Sequence, residues 1–181
     1  MNETISRYVR GCTMCAKSKP NNRKLGLCTP LPVPSHPWES FSMDFVGGLP
    51  KSMKGHDYLY VVLDRFSKMC ILIPCNKQIT TEQTVKVFLQ HVWVHFWLPT
   101  SIVSDRDSRF VGKFGSSLWE LMDTKLKKST TFHPQINGQI EVVKRTVVQL
   151  LRGYCSKNPK LWDEHFCYVQ HSYNCANHSS T

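Results

Sequence analysis

A chain of 181 residues, 41% apolar and 20% charged, amounts to one ordinary domain with a short appendage, because it can bury a core but is too short for two full domains. That composition excludes collagen-like, low-complexity and disordered classes. With 23 Lys+Arg against 13 Asp+Glu the formal net charge is +10, which favours a polyanionic partner, nucleic acid before membrane.

The charge is uneven. Residues 1–36 carry six basic groups (Arg7, Arg10, Lys17, Lys19, Arg23, Lys24) and one acid, Glu3, so a basic, proline-rich arm is expected to precede a milder body at 37–181. No apolar run approaches the roughly 20 residues of a membrane helix, and MNETISRYVR lacks a signal-peptide core, so an intracellular protein with reduced thiols is expected. Cys12-Thr-Met-Cys15 has the spacing of half a tetrahedral zinc site, with Cys28 and His36 standing at an unusual interval to complete it. The arm runs through five prolines, the last of them Pro37, where the boundary is expected.

Phe41, Met43 and Phe45 alternate with Ser42, Asp44 and Val46, the period of a strand, so Asp44 is expected on the face opposite the three large apolar groups. YLYVVL (58–63) and MCILIP (69–74) read as its antiparallel partners. Thr80-Thr-Glu-Gln83 has the form of a capping box, followed by Val85, Phe88, Leu89, Val92, Trp93 and Phe96 at helical spacing. Ile102-Val-Ser104 reads as a short buried strand that delivers Asp105 and Asp107. A second helix is predicted along Phe110, Phe114, Leu118 and Leu121, then a strand over 125–129, a long helix with Ile140, Val143, Val147, Leu150 and Tyr154 on one face, and a last helix over 161–175. By period, Trp93, Phe96, Trp119 and Tyr154 belong to the core.

The order βββ-α-β-α-β-α-α is that of a mixed sheet covered on both faces. In such a sheet a first-strand residue, a neighbouring strand end and the first turn of a packed helix converge, and Asp44, Asp105 and Glu141 occupy those positions. Hard carboxylate oxygens at one point suit Mg²⁺ or Mn²⁺, and a pair of such ions supports phosphoryl transfer. Asp64, beside Arg65, reads instead as half of a structural ion pair, and Asp107 as the cap of the next helix.

The segments Ser42-Met-Asp-Phe45, VVLDRFSK (61–68), IVSDRDSRF (102–110) and HPQINGQIE (133–141) resemble the integrase core of gypsy-class LTR retrotransposons and retroviruses. Cys12 and Cys15 resemble the last half of that family's zinc domain, and 35 residues separate Asp105 from Glu141, the family's interval. The resemblance implies an RNase H-like, five-stranded α/β fold and a polynucleotidyl transferase that processes DNA 3′ ends and joins them to target DNA. It implies Asp44, Asp105 and Glu141 as catalytic ligands of two Mg²⁺ or Mn²⁺ ions, Asn137, Lys144 and Arg145 near the DNA ends, a homo-oligomer, and a nuclear or virus-like-particle location.

The chain departs from that family at several places. No His pair precedes Cys12, so zinc is not expected to be held by this fragment. Trp97 stands where the family has a glycine, which predicts a strained left-handed residue, and Gly115 stands where it has a large aromatic, which predicts a core cavity. Lys144 replaces an Asn. Two other readings therefore stand beside the integrase: a catalytically silent nucleic-acid-binding relic of one, and an RNase H-like nuclease.

Overall fold

The alternation of large apolar and small or polar residues from position 40 produces the first strand, β1 (Ser40–Val46), of a five-stranded sheet. The computed structural model describes Gly11 and residues 33–105, 107–112, 115–116, 119–120, 122–128 and 138–177. Cys12, Cys15, Phe114, Leu118, Leu121, Ser129 and Asn137 lie outside them.

Strands β2 (Tyr58–Asp64) and β3 (Cys70–Cys75) continue antiparallel from β1, whereas β4 (Ser101–Ser104) and β5 (Lys125–Lys128) add in parallel on its other side. The sheet order is β3-β2-β1-β4-β5, with Asp44 opposite Val61 and Met43 opposite Ser104. Helix α1 (Thr81–Phe88) starts from the expected capping box: Gln83 N–H donates to Thr80 Oγ1 at 3.2 Å, and Thr80 N–H to Gln83 Oε1 at 3.0 Å. Helix α2 (Ser108–Val111) is a single turn capped by Asp107 and released at Gly112, where ψ is 156°. Helix α3 (Gly138–Tyr154) and α4 (Trp162–Asn174) follow, the latter entered through a 3₁₀ turn at Pro159–Leu161.

Each face of the sheet buries its own core. Phe41, Met43, Phe45, Tyr60 and Val62 pack with Val85 and Phe88 of α1 and with Trp119 on one side; Val61, Leu63 and Leu72 pack with Ile140, Val143 and Val147 of α3 and Val169 of α4 on the other. Because residues two apart along a strand share a face, Asp44 emerges on the α3 side, away from Phe41, Met43 and Phe45.

Three expectations fail here for local reasons. Trp97 is not left-handed, because α1 runs into a π turn at Leu89–Trp93 whose last amides bond back to Leu89 and Val92, so the chain leaves without a residue of positive φ; Trp38, Lys68 and Asp123 hold that conformation among the described non-glycine residues. Gly115 leaves no cavity: a Cβ there would lie 2.8 Å from the Phe110 carbonyl oxygen, so backbone fills the space. Trp93 and Tyr154 are about half exposed, unlike the buried Trp119, since the π turn rotates Trp93 off the helical stripe and Tyr154 ends α3 against Tyr168, with ring centroids 6.4 Å apart.

Candidate active site

Strands β1 and β4 are parallel neighbours, so their C-terminal ends reach the same edge of the sheet, and each presents an aspartate there: Asp44 near the end of β1 and Asp105 directly after β4. Asp44 is 7% exposed. Its Oδ1 accepts the Phe45 N–H at 2.7 Å, and its Oδ2 accepts Lys144 Nζ, also at 2.7 Å, from α3. Asp105 Oδ1 accepts the Asp107 N–H at 3.0 Å. Burial pushes the Asp105 carboxyl up, and the negative charges of Asp44 and Asp107 push the same way; the Asp107 N–H and the Lys144 ammonium oppose them. Two aspartates and one ammonium thus share one electrostatic neighbourhood.

Asp107 is committed elsewhere. It accepts the Arg109 N–H at 3.0 Å as the cap of α2, and its carboxylate pairs with the Arg109 guanidinium, which holds its carboxyl below the usual range. That guanidinium lies over the Phe45 ring, 3.8 Å from its centroid, with the Tyr58 ring at 5.3 Å. Asp64 is structural as expected: its charge acts on the neighbouring Arg65 and Lys68, and it accepts the Trp38 N–H at 3.0 Å, the Ser67 N–H at 2.9 Å and the Ser67 hydroxyl at 2.6 Å. These donors fasten the β2–β3 turn and the segment entering β1.

Glu141 stands in the first turn of α3 and is exposed, and Arg145 is exposed one turn later. Among the described residues no three His, Cys, Asp or Glu side chains gather closely enough to hold a metal ion. The structure therefore brings Asp44, Asp105 and Lys144 together and leaves Glu141 outside their group. The donor chemistry suits a hard divalent cation, since two carboxylates converge where Lys144 already supplies positive charge to one of them. The partnership of Lys144 with Asp44 had one sequence signal, the three-residue step from Glu141, but 100 residues separate the pair and the step does not say which partner the ammonium finds.

Residues 34–134 match the protein family described as "Integrase core domain". The Tf2-3 and Tf2-4 transposon polyproteins of Schizosaccharomyces pombe (strain 972 / ATCC 24843) are each 43% identical over 178 residues, covering 98% of this chain and 13% of the polyprotein. The chain therefore spans a small fraction of the curated relatives it matches. Among solved structures, a chain of the simian T-cell lymphotropic virus intasome in complex with PP2A regulatory subunit B56 gamma superposes with a TM-score of 0.67 at 19% identity, covering 98% of this chain and 62% of that one. The HTLV-2 integrase catalytic core domain in complex with magnesium (trimeric form) gives 0.61 at 20% identity, covering 78% of this chain and 88% of that one. These likenesses are of fold, and they agree with the RNase H-like mixed sheet expected from the motifs.

Proposed function

Because this chain belongs to the integrase core domain family, we propose that it is the catalytic core of a retrotransposon-type integrase, a polynucleotidyl transferase that trims the 3′ ends of element DNA and joins them to target DNA. The observation that carries this reading is the convergence of Asp44 and Asp105 at one sheet edge, close enough that the charge of one raises the carboxyl of the other. Converging like charges in a half-buried setting are costly unless a cation serves them. Asp44 and Asp105 would hold Mg²⁺ or Mn²⁺, with Glu141 completing the set from α3. When bound, such ions supply charge neutralisation at the reacting phosphate and acidify the attacking oxygen.

The chain's own residues prepare that edge. The Phe45 N–H fixes one oxygen of Asp44, and the Asp107 N–H orients Asp105, so both carboxylates are aimed before substrate arrives. Lys144 keeps a positive charge beside the carboxylates, within reach of a phosphate presented to them. Arg145, one residue on and exposed, offers a guanidinium as a second cationic contact to a DNA backbone. Partners consistent with this role are element and target DNA and further copies of the chain, in the nucleus or a virus-like particle.

The contact between Lys144 and Asp44 favours a second reading, a catalytically silent DNA-binding relic in which the ammonium permanently replaces the cation. Incubating a branched DNA that mimics the joined product with Mn²⁺ separates the two. Metal-dependent resolution by the natural chain, lost in Glu141→Gln, is the result expected of the enzyme. A chain that is folded by circular dichroism, binds the DNA and resolves none of it would reject the enzyme in favour of the relic.

A further inference from the structure

Strands β1, β3 and β4 run in the same direction, so the C-terminal end of β3 at Cys75 lies on the same sheet edge as Asp44 and Asp105. Beyond that end a cleft of about 710 Å³ opens between the β1–β2 loop, the end of β3 and α1. It sits two strands from β1, a lateral distance of about 10 Å. Lys51, Lys77 and Lys86 line it from three separate segments, together with His56. All three lysines are exposed, and none takes part in a salt bridge among the described residues. The neighbouring Lys54, outside the cleft, is paired with Glu164 at 3.8 Å. The cleft's one acidic lining residue, Asp57, uses its Oδ1 to accept the Lys77 N–H at 2.7 Å.

The floor is firmly held. His56 Nδ1 lies 2.8 Å from Oδ2 of Asp163, a carboxylate 3% exposed that also accepts the Ser52 hydroxyl at 2.6 Å. Arg109, over Phe45 and Tyr58, is paired with Asp107, so it is Lys51, Lys77 and Lys86, none of them in a salt bridge among the described residues, that give the cleft its positive charge. Like charges converging on a concave wall repel one another and focus a positive potential into the space they enclose, which is the arrangement that concentrates a polyanion. Solvated lysines spread over a convex face have neither feature.

We infer that the cleft lined by Lys51, Lys77 and Lys86 binds the sugar-phosphate backbone of DNA flanking the reacting phosphodiester, an inference that rests on the integrase reading. Three phosphate contacts would steepen the salt dependence of affinity by about 2.7 in log–log slope, so raising salt from 50 to 200 mM costs the natural chain about 40-fold more affinity than a chain lacking them. The experiment measures duplex binding by fluorescence anisotropy across that salt range for three proteins: the natural chain, Lys51→Gln/Lys77→Gln/Lys86→Gln, and a control of equal charge change, Lys125→Gln/Lys127→Gln/Lys157→Gln. The expected result is a slope flattened by two to three in the cleft variant and little changed in the control; Lys77→Gln alone should flatten it by about one and serves if the triple variant does not fold. Equal slopes for cleft variant and control would overturn the cleft assignment, and so would a natural chain that binds no duplex. Because the readout is binding, failure of the integrase chemistry shows separately, as intact DNA affinity without resolution of the branched substrate.

Discussion

Asp44 spends both oxygens within the chain, one on the Phe45 N–H and one on Lys144, while Asp105 spends one on the Asp107 N–H and feels its neighbours' negative charge. Lys144 and a divalent cation therefore compete for the same Asp44 oxygen. Replacing Lys144 by Met keeps the stem and removes the ammonium, and Mn²⁺ binding by isothermal titration should tighten about tenfold, the equivalent of one hydrogen bond to a charged group. Unchanged affinity would mean that Lys144 does not obstruct the site. Asp105 makes a second prediction. Its carboxyl is raised in the folded chain, so its contribution to stability is fully present below the ordinary carboxylate range and is lost as pH rises through the raised value. Asp105→Asn should accordingly unfold at a higher temperature than the natural chain at pH 7, with the difference shrinking as the pH falls; a variant less stable at pH 7 would contradict the strain assigned to this carboxylate.

Elements are held by contacts that differ in how far along the chain they reach. The capping box of α1 lies within four residues, 80–83, and its sequence announces it; Thr80→Ala should cost about 1 kcal/mol in denaturant unfolding. Gly115 reads in sequence as a missing side chain, yet the Phe110 carbonyl and the Thr81 methyl, the latter 3.3 Å from a built Cβ, already close the space. Gly115→Ala should therefore destabilise by about 1–3 kcal/mol as overpacking, whereas a cavity would have made it stabilising. The start of α4 hangs on Asp163. Burial works against ionisation of Asp163, and the hydrogen bonds from Ser52 and His56 outweigh it, holding the carboxyl below its usual value. A depressed carboxyl contributes stability above the ordinary carboxylate range and loses it as pH falls through the lowered value. Asp163→Ala should cost about 2–3 kcal/mol at pH 7, and its unfolding curve should approach that of the natural chain at acid pH.

At the scale of the molecule, β2 shows how one sheet serves two cores. Val61 faces α3 and α4, Val62 faces α1, and both are fully buried. Each Val→Ala change should cost about 1.5–3 kcal/mol, and if the sheet couples the two layers both variants should unfold in one transition by near- and far-ultraviolet circular dichroism. The strand periods, the capping box and the element order βββ-α-β-α-β-α-α needed only local pattern, and so were legible in the sequence, as was the face on which Asp44 emerges. The motifs also announced the family. Pairings across the fold were not legible: Lys144 with Asp44, Asp163 with Ser52 and His56, and Arg109 over Phe45 join residues whose separations of up to 111 positions are closed by the sheet. Trp97 and Gly115 were misread because a π turn and a carbonyl, neither carried by residue type, set their surroundings. Periodicity and turn chemistry act over a few bonds, so the sequence by itself determined the elements and named the acids at their ends. Only the tertiary structure decided which charges meet there, because hydrogen bonding and Coulomb interaction depend on distances that strand order and helix packing create.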